Sequence, residues 1–112
     1  MWIVEPERMC NRHLLGEHNE VHMLIGSLFK KRNISGFLKK RIVEPQSIRA
    51  RHDAIATEME RRGYNHRSPF PGMPDMAYLG KEADTVVDWV SSYRDLMNRC
   101  ERCREMAPNK LE

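Results

Sequence analysis

The chain has 112 residues, of which 40% are hydrophobic, 31% charged and 7% aromatic, and it carries a formal net charge of +3. This composition excludes a disordered chain, because the apolar content supports one modest core, and the length excludes a second core. The mild positive charge permits nucleic-acid binding without requiring it. No apolar run approaches the roughly 18 residues of a membrane span, and the first residues lack the basic start of a signal peptide.

We therefore expect one domain over residues 1–112, in which Leu111 and Glu112 could be a tag remnant. We also expect the protein to be a monomer. Three cysteines without an export signal predict reduced thiols and a cytoplasmic location.

The first half of the chain predicts two long helices and a short one. The first runs from residue 7 or 11 to residue 31, and Ser35 is expected to cap a short helix over residues 36–42. The second long helix runs from Pro45 to about residue 62, with Gly63 as its C-terminal cap. The apolar residues that recur at helical period are Leu14, Val21, Ile25 and Leu28 in the first helix and Ile48, Ile55 and Met59 in the second.

The second half begins with a long connection that is rich in proline and glycine, over residues 64–80. A last helix is predicted from residue 81 or 84 to about residue 106, and Trp89 beside its stripe is expected to pack in the core or in a groove. No strand pattern or repeat is present. The predicted fold is all-α, a single compact domain of three main helices plus short helical pieces and the long loop. The stripe of the last helix is Val86, Val90, Tyr93, Met97 and Cys100.

Three groups with chemical potential share one face of the first helix, because His13, Glu17 and Glu20 are spaced at i, i+4 and i+7. Carboxylates held at the edge of a core can acquire shifted pKa values that suit catalysis. The same spacing is also typical of a solvated helix face with ordinary surface pairs. The pattern by itself leaves both interpretations open.

The cysteines offer a second constellation, because Cys10 and His13 form a CxxH and Cys100 and Cys103 form a CxxC. Three cysteines and one histidine are a legitimate zinc combination. Against this, Cys100 continues an apolar stripe, and a free cysteine is commonly a small buried hydrophobe. We expect no metal and no other cofactor, and a zinc-stapled helical interaction domain remains an alternative in which His13 is a ligand.

Two segments resemble a known enzyme family. Residues 9–20 (MCNRHLLGEHNE) resemble the first-helix segment of the pyrimidine-dimer DNA glycosylases, the dimer-cleaving endonuclease V type of phages. The shared pattern is a His-Leu pair, a Glu, and a second Glu three residues later. Residues 49–65 (RARHDAIATEMERRGYN) resemble that family's second long helix, which ends in a basic residue, Gly, an aromatic residue and Asn. The family fold is three helices with little strand.

The resemblance implies a specific reaction on damaged double-stranded DNA. In that family an α-amino group attacks the sugar C1′ on the 5′ side of a cyclobutane dimer and forms an imine, and β-elimination then breaks the strand. An α-amine suits this work, since its pKa is ordinarily about 7.7–8.0 against about 10.4 for lysine. The family's catalytic glutamate corresponds to Glu20. Trp2 is too bulky for ordinary methionine removal, so the expected nucleophile is the amine of Met1.

The basic residues concentrate between Lys30 and Arg67, where they can neutralise phosphates or form an ordinary solvated face. The loop around Arg67 and Phe70 is expected either to insert near the lesion or to be a plain connection. A non-catalytic helical nucleic-acid-binding module therefore remains an alternative. The expected substrate- or DNA-binding set is Arg12, His13, Glu17, Asn19, Lys30, Lys31, Arg49 and Arg51.

The chain departs from the family pattern at several points. Asn19 and Met23 stand where the family has arginines, the segment before His13 is shorter, and the aromatic C-terminal tail is absent. These differences concern the choice of lesion more than the imine chemistry. A cyclobutane dimer, another damaged base and an abasic site all remain open as substrates.

Overall fold

Helices dominate the computed structural model, which describes residues 1–66 and 69–106. No strand occurs among these residues, and the predicted all-α class is confirmed. The α-helices are α1 (Asn11–Phe29), α2 (Ser35–Lys39), α3 (Ile48–Arg61), α4 (Trp89–Arg99) and α5 (Glu101–Met106), and 3-10 turns cover Pro6–Arg8, Pro45–Ser47 and Ala77–Asp84.

The core lies mainly between α1 and α3. The predicted apolar stripes face this contact, with Leu14, Val21 and Leu28 of α1 and Ile48 and Ile55 of α3 each 0% exposed. Burial of such side chains stabilises the fold by about 1.5–3 kcal/mol each. These two helices were predictable because their apolar period matches 3.6 residues per turn.

Local hydrogen bonds define the C-terminal end of α3 and the N-terminal end of α2. Gly63 lies at a φ of +91° directly after α3, and its N–H donates to the Glu60 carbonyl at 3.0 Å, as predicted for a C-terminal cap. The prediction that Ser35 caps the short helix is wrong. Ser35 is the first helical residue and Ile34 is the N-cap residue, which makes no side-chain capping bond. The N–H of Ser35 instead donates to Oδ1 of Asn33 at 3.0 Å.

The C-terminal third differs from the predicted single helix. The Asp88 carboxylate accepts a hydrogen bond from the Ser91 N–H at 3.2 Å and so begins α4 several residues later than predicted. The helix then ends at Cys100, whose backbone is extended, and α5 follows as a separate short helix. Because residues 85–88 are not helical, the predicted stripe, which begins at Val86, does not form one face.

Burial in α4 confirms this correction. Leu96 is 0% exposed and supplies the buried contact of α4, whereas Val86 is 53% and Trp89 63% exposed. Trp89 was expected in the core or in a groove, and the core alternative is wrong, because most of its side chain is exposed. Trp2, by contrast, is half-buried against the core.

Two sequence-based expectations fall outside the described residues, namely those on Arg67 and on the pair Leu111 and Glu112. Phe70, from the same loop as Arg67, lies against the ring of His52 with 5.4 Å between centroids.

Within residues 1–66 and 69–106, none of the helices combines the length and the apolar character needed to cross a bilayer.

Candidate active site

The first residues of the chain are attached to α1 and α3 by a buried ion pair. Glu17, which is 2% exposed, accepts hydrogen bonds from the guanidinium of Arg51 and from the backbone N–H of Trp2. Arg51, itself 7% exposed, donates from Nη1 to the Val4 carbonyl at 2.6 Å and from Nη2 to the Met9 sulfur at 3.3 Å. Two side chains on two helices thus hold the backbone at both Trp2 and Val4.

This attachment sustains a strained backbone between those two residues. Ile3 lies at a φ of +50°, in the left-handed region that β-branched residues rarely adopt. Such a conformation costs about 1–3 kcal/mol and persists only where its surroundings determine it. The hydrogen bonds at Trp2 and Val4 supply that constraint, and the resulting bend turns residue 1 toward α1.

The α-amine of Met1 lies between two hydrogen-bond acceptors. It donates to Oε1 of Glu20 at 2.6 Å and to the carbonyl of Ile42 at 2.8 Å. The Met1 side chain is 0% exposed and anchors the residue, while its sulfur accepts from the N–H of Glu44 at 3.4 Å. The Glu20 side chain is 45% exposed, so the pair is anchored on one side and reaches solvent on the other.

A cleft of about 660 Å³ opens over this pair. Its wall includes the cations Lys40, Arg41 and Arg99 together with hydroxyl and carboxylate side chains of α4. Sequence reasoning placed Lys40 and Arg41 in a basic block but missed the α4 wall. No local signal identified that wall, because α4 was predicted as one continuous apolar helix. The α4 residues that line the cleft are Ser91, Ser92, Asp95 and Arg99, with Asp88 just ahead of the helix.

The arrangement can support nucleophilic chemistry. A carboxylate within hydrogen-bond distance of an amine can take its proton, and the free amine can then attack an electrophilic carbon. The same carboxylate can stabilise positive charge that develops on that carbon. Arg99 is paired with Asp95 at 2.9 Å, so the cations of the cleft without a carboxylate ion-pair partner among the described residues, Lys40 and Arg41, are the ones that can attract an anionic ligand.

The predicted DNA-binding residues lie in three different environments. Glu17 and Arg51 are buried in their ion pair, where they hold the N-terminal residues, so neither side chain is exposed to a ligand. His13 lies in the cysteine group described below. The remaining predicted residues are exposed and free to meet a ligand: Arg12, Asn19, Lys30, Lys31 and Arg49.

The four residues of the alternative zinc interpretation lie together, and we call them the Cys₃His cluster (Cys10, His13, Cys100 and Cys103). Their candidate ligand atoms all lie within 4.8 Å of one another. Burial raises the pKa of the Cys103 thiol to about 12. Burial also lowers the pKa of His13, and the neighbouring charge of Arg12 adds to that effect.

A second group, the histidine cluster (His18, His22, His52 and His66), was missed by sequence reasoning. Nε2 of His18 lies 3.0 Å from Nε2 of His66, and one nitrogen from each of the four rings lies within 4.8 Å of the others, close enough to hold a metal ion. The spacing of His18 and His22 by four residues on α1 was the only local signal. The pKa of His18 is lowered from 6.5, first by burial and then by the other three histidines.

The histidine cluster predicts acid sensitivity. Because the folded state holds the pKa of His18 below its ordinary 6.5, the unfolded chain binds the proton first as the pH falls. Titration of His18 therefore leaves the free energy of unfolding unchanged above pH 6.5 and lowers it as the pH falls below 6.5. Urea unfolding between pH 7.5 and 5 should show a falling midpoint, with a weaker dependence in His18→Asn. An equal pH dependence in the variant would contradict this account.

Fold and site together define a small all-α protein with an amine–carboxylate pair under a rim of basic residues. A family model described as pyrimidine dimer DNA glycosylase matches residues 1–71 of this chain, which is more than half of it. The chain therefore belongs to the pyrimidine dimer DNA glycosylase family, as its resemblance predicted. The match includes Met1, Glu20, α1 and α3 and ends before α4. Comparisons with curated proteins and with solved structures find no match.

Proposed function

We propose that the protein is a DNA-repair glycosylase with β-elimination (AP lyase) activity on pyrimidine-dimer or otherwise damaged double-stranded DNA. The Met1 amine is the nucleophile and Glu20 is its proton-transfer partner. The observation that carries this proposal is the 2.6 Å contact between the Met1 amine and Oε1 of Glu20 at the base of a solvent-open cleft. Family membership supplies the substrate class.

The reaction begins with proton transfer from the Met1 ammonium to Glu20. The amine then attacks C1′ of the damaged nucleotide, and the C1′–N bond breaks as its electron pair leaves with the base. The departing base takes the proton that the attacking nitrogen loses as the N–C1′ bond forms, so the base leaves neutral and Glu20 stays a carboxylic acid that is hydrogen-bonded to the reacting nitrogen. The hydrogen bond to the Ile42 carbonyl fixes the amine, so that its lone pair keeps one direction.

The second stage is strand cleavage. Glu20 gives its proton to O4′ as the C1′–O4′ bond breaks, and this ring opening leaves a protonated imine between Met1 and C1′, which acidifies the protons on C2′. Glu20, now a carboxylate again, removes one of them, and the electron pair forms a C2′–C3′ double bond as the 3′ phosphate leaves. Water then hydrolyses the imine and releases the amine.

Phosphate contacts come from the exposed cations. Lys40, Arg41 and Arg99 line the cleft itself, and each neutralised phosphate adds salt-dependent affinity. Asn19, exposed and adjacent to Glu20, remains a proposed substrate contact. Glu17 and Arg51 act instead as positioning residues through the N-terminal backbone. The other proposed DNA contacts are Arg12, Lys30, Lys31 and Arg49.

Reductive trapping with borohydride tests the proposal. Wild-type protein should become covalently attached to duplexes with a pyrimidine dimer or an abasic site, and not to an undamaged duplex. After digestion, mass spectrometry should find the adduct on the peptide that begins with Met1. A variant with one extra residue before Met1 is the control, because its amine is displaced by about 3.8 Å and should be trapped far less.

An adduct on a lysine would remove Met1 from the mechanism. DNA binding without any adduct would favour the non-catalytic nucleic-acid-binding module instead.

A further inference from the structure

We propose that the Cys₃His cluster binds one zinc ion that ties the C-terminal helix α5 to the beginning of α1. The proposal goes beyond the glycosylase function, since none of these four residues takes part in the imine chemistry. Its basis is that three cysteines and one histidine, residue types that zinc prefers, lie together although the two pairs are ninety residues apart in the chain.

The distances match a tetrahedral zinc site. Zinc bonds of about 2.3 Å to sulfur and about 2.0–2.1 Å to nitrogen place the ligands of a tetrahedron about 3.8 Å apart for two sulfurs and about 3.6 Å apart for sulfur and nitrogen. The sulfurs of Cys10 and Cys100 are 3.8 Å apart. Nδ1 of His13 lies 3.3 Å from the Cys10 sulfur and 3.6 Å from the Cys103 sulfur.

Backbone hydrogen bonds to the sulfurs complete the pattern of a metal site. The N–H of Cys10 donates to the Cys103 sulfur at 3.3 Å, and the N–H of Cys103 donates to the Cys100 sulfur at 3.4 Å. Such outer donors orient thiolate ligands and stabilise their charge. The rings of Trp2 and His13 lie nearly perpendicular, with 6.1 Å between their centroids, and this contact restricts the orientation of His13.

The surrounding charge also favours the site. Three thiolates and one Zn²⁺ carry a net charge of −1, which needs compensation near the surface. Cys10 and Cys100 share a hollow with four arginines and Glu105; two of the arginines pair with Glu58, and the other two can supply the compensating charge. The four arginines are Arg12, Arg61, Arg62 and Arg102.

The zinc ion would have a structural role in α5. This helix has six residues, and Cys103 is the buried one among them. A helix so short is not stable without a tertiary attachment. Cys100 and Cys103 stand at its start and middle, so one metal ion bound to both, and to Cys10 and His13, fixes the whole helix against α1.

Metal analysis of protein purified without a histidine tag tests the inference. Wild type should contain one zinc per chain, Cys103→Ser should lose it, and His66→Asn should keep it. His66→Asn is the matched control, because it removes a possible ligand from the histidine cluster and leaves the Cys₃His cluster intact. Replacement by Co²⁺ should give thiolate-to-cobalt charge-transfer absorption and the strong visible bands of tetrahedral cobalt.

Limited proteolysis adds a structural readout. Loss of the metal should expose sites after α4 while α1 to α3 stay protected. Zinc retained in Cys103→Ser, zinc lost only in His66→Asn, or a wild type that neither contains nor takes up zinc would overturn the assignment.

A measurement on wild type covers the case in which Cys103→Ser does not fold. Titration of the thiols with a mercurial should release the zinc, detected with a chromogenic chelator, as the three cysteines react. Reaction of all three thiols without release of zinc would equally overturn the proposal.

Discussion

Replacing Glu20 with glutamine should lower the rate of strand cleavage by about 10²–10⁴-fold, the range that general acid–base groups contribute. The amide keeps the size of the side chain and can still accept a hydrogen bond from the Met1 amine. It cannot take the amine's proton, and it cannot remove the C2′ proton. A single-turnover assay on a duplex with one pyrimidine dimer measures the loss, and fluorescence anisotropy should show an affinity for DNA close to that of wild type.

Glu60→Gln is the matched control for this change. Glu60 is an exposed glutamate on α3, so its neutralisation alters the net charge equally without touching the amine. Both variants should bind DNA alike, and only Glu20→Gln should lose cleavage. Cleavage by Glu20→Gln at the wild-type rate would remove Glu20 from the proposed mechanism.

Replacing Arg51 with methionine should destabilise the fold by about 3–5 kcal/mol, because it leaves the Glu17 carboxylate buried without its partner. The change also removes the donors to the Val4 carbonyl and the Met9 sulfur. Urea unfolding at pH 7.5 measures the free energy directly. Where the variant is still folded, trapping of Met1 should fall as well, since the N-terminal residues lose their attachment to α3.

Arg49→Met provides the comparison for this prediction. Arg49 lies two residues earlier on α3, is exposed, and packs its guanidinium over the Phe70 ring at 5.7 Å. Its loss should change the stability by about 0.5 kcal/mol or less. The double variant Glu17→Gln with Arg51→Met should recover part of the loss, because no buried charge remains. Equal destabilisation by Arg49→Met and Arg51→Met would show that the buried pair has no special role.

The neighbouring glutamates Glu17 and Glu20 show which properties a sequence pattern predicts and which it does not. Their spacing places both on one face of α1, which is a local property of the helix. Nothing local distinguishes their roles. The packing of α3 and of the first residues on α1 buries Glu17 in an ion pair with Arg51. The same packing leaves Glu20 at the cleft, beside the Met1 amine.

The two clusters of possible metal ligands follow the same rule. Each contains a pair that the sequence displays, Cys10 with His13 and His18 with His22. The remaining members come from distant parts of the chain, so their proximity depends on how α3, α5 and the long loop pack on α1. No spacing in the sequence encodes that proximity.

The sequence alone determined the all-α class, the two long helices α1 and α3, the resemblance to the pyrimidine dimer DNA glycosylases and the candidate pair of Met1 and Glu20. These rest on periodicity and on short motifs, which are properties of neighbouring residues. The late start of α4, the cations that line the cleft and the burial of Arg51 depended on the tertiary structure. So did the proximity of Cys10 to Cys100 and Cys103. The physical reason is that caps, burial and ion pairing depend on partners far away in the chain, and only the folded packing brings those partners together.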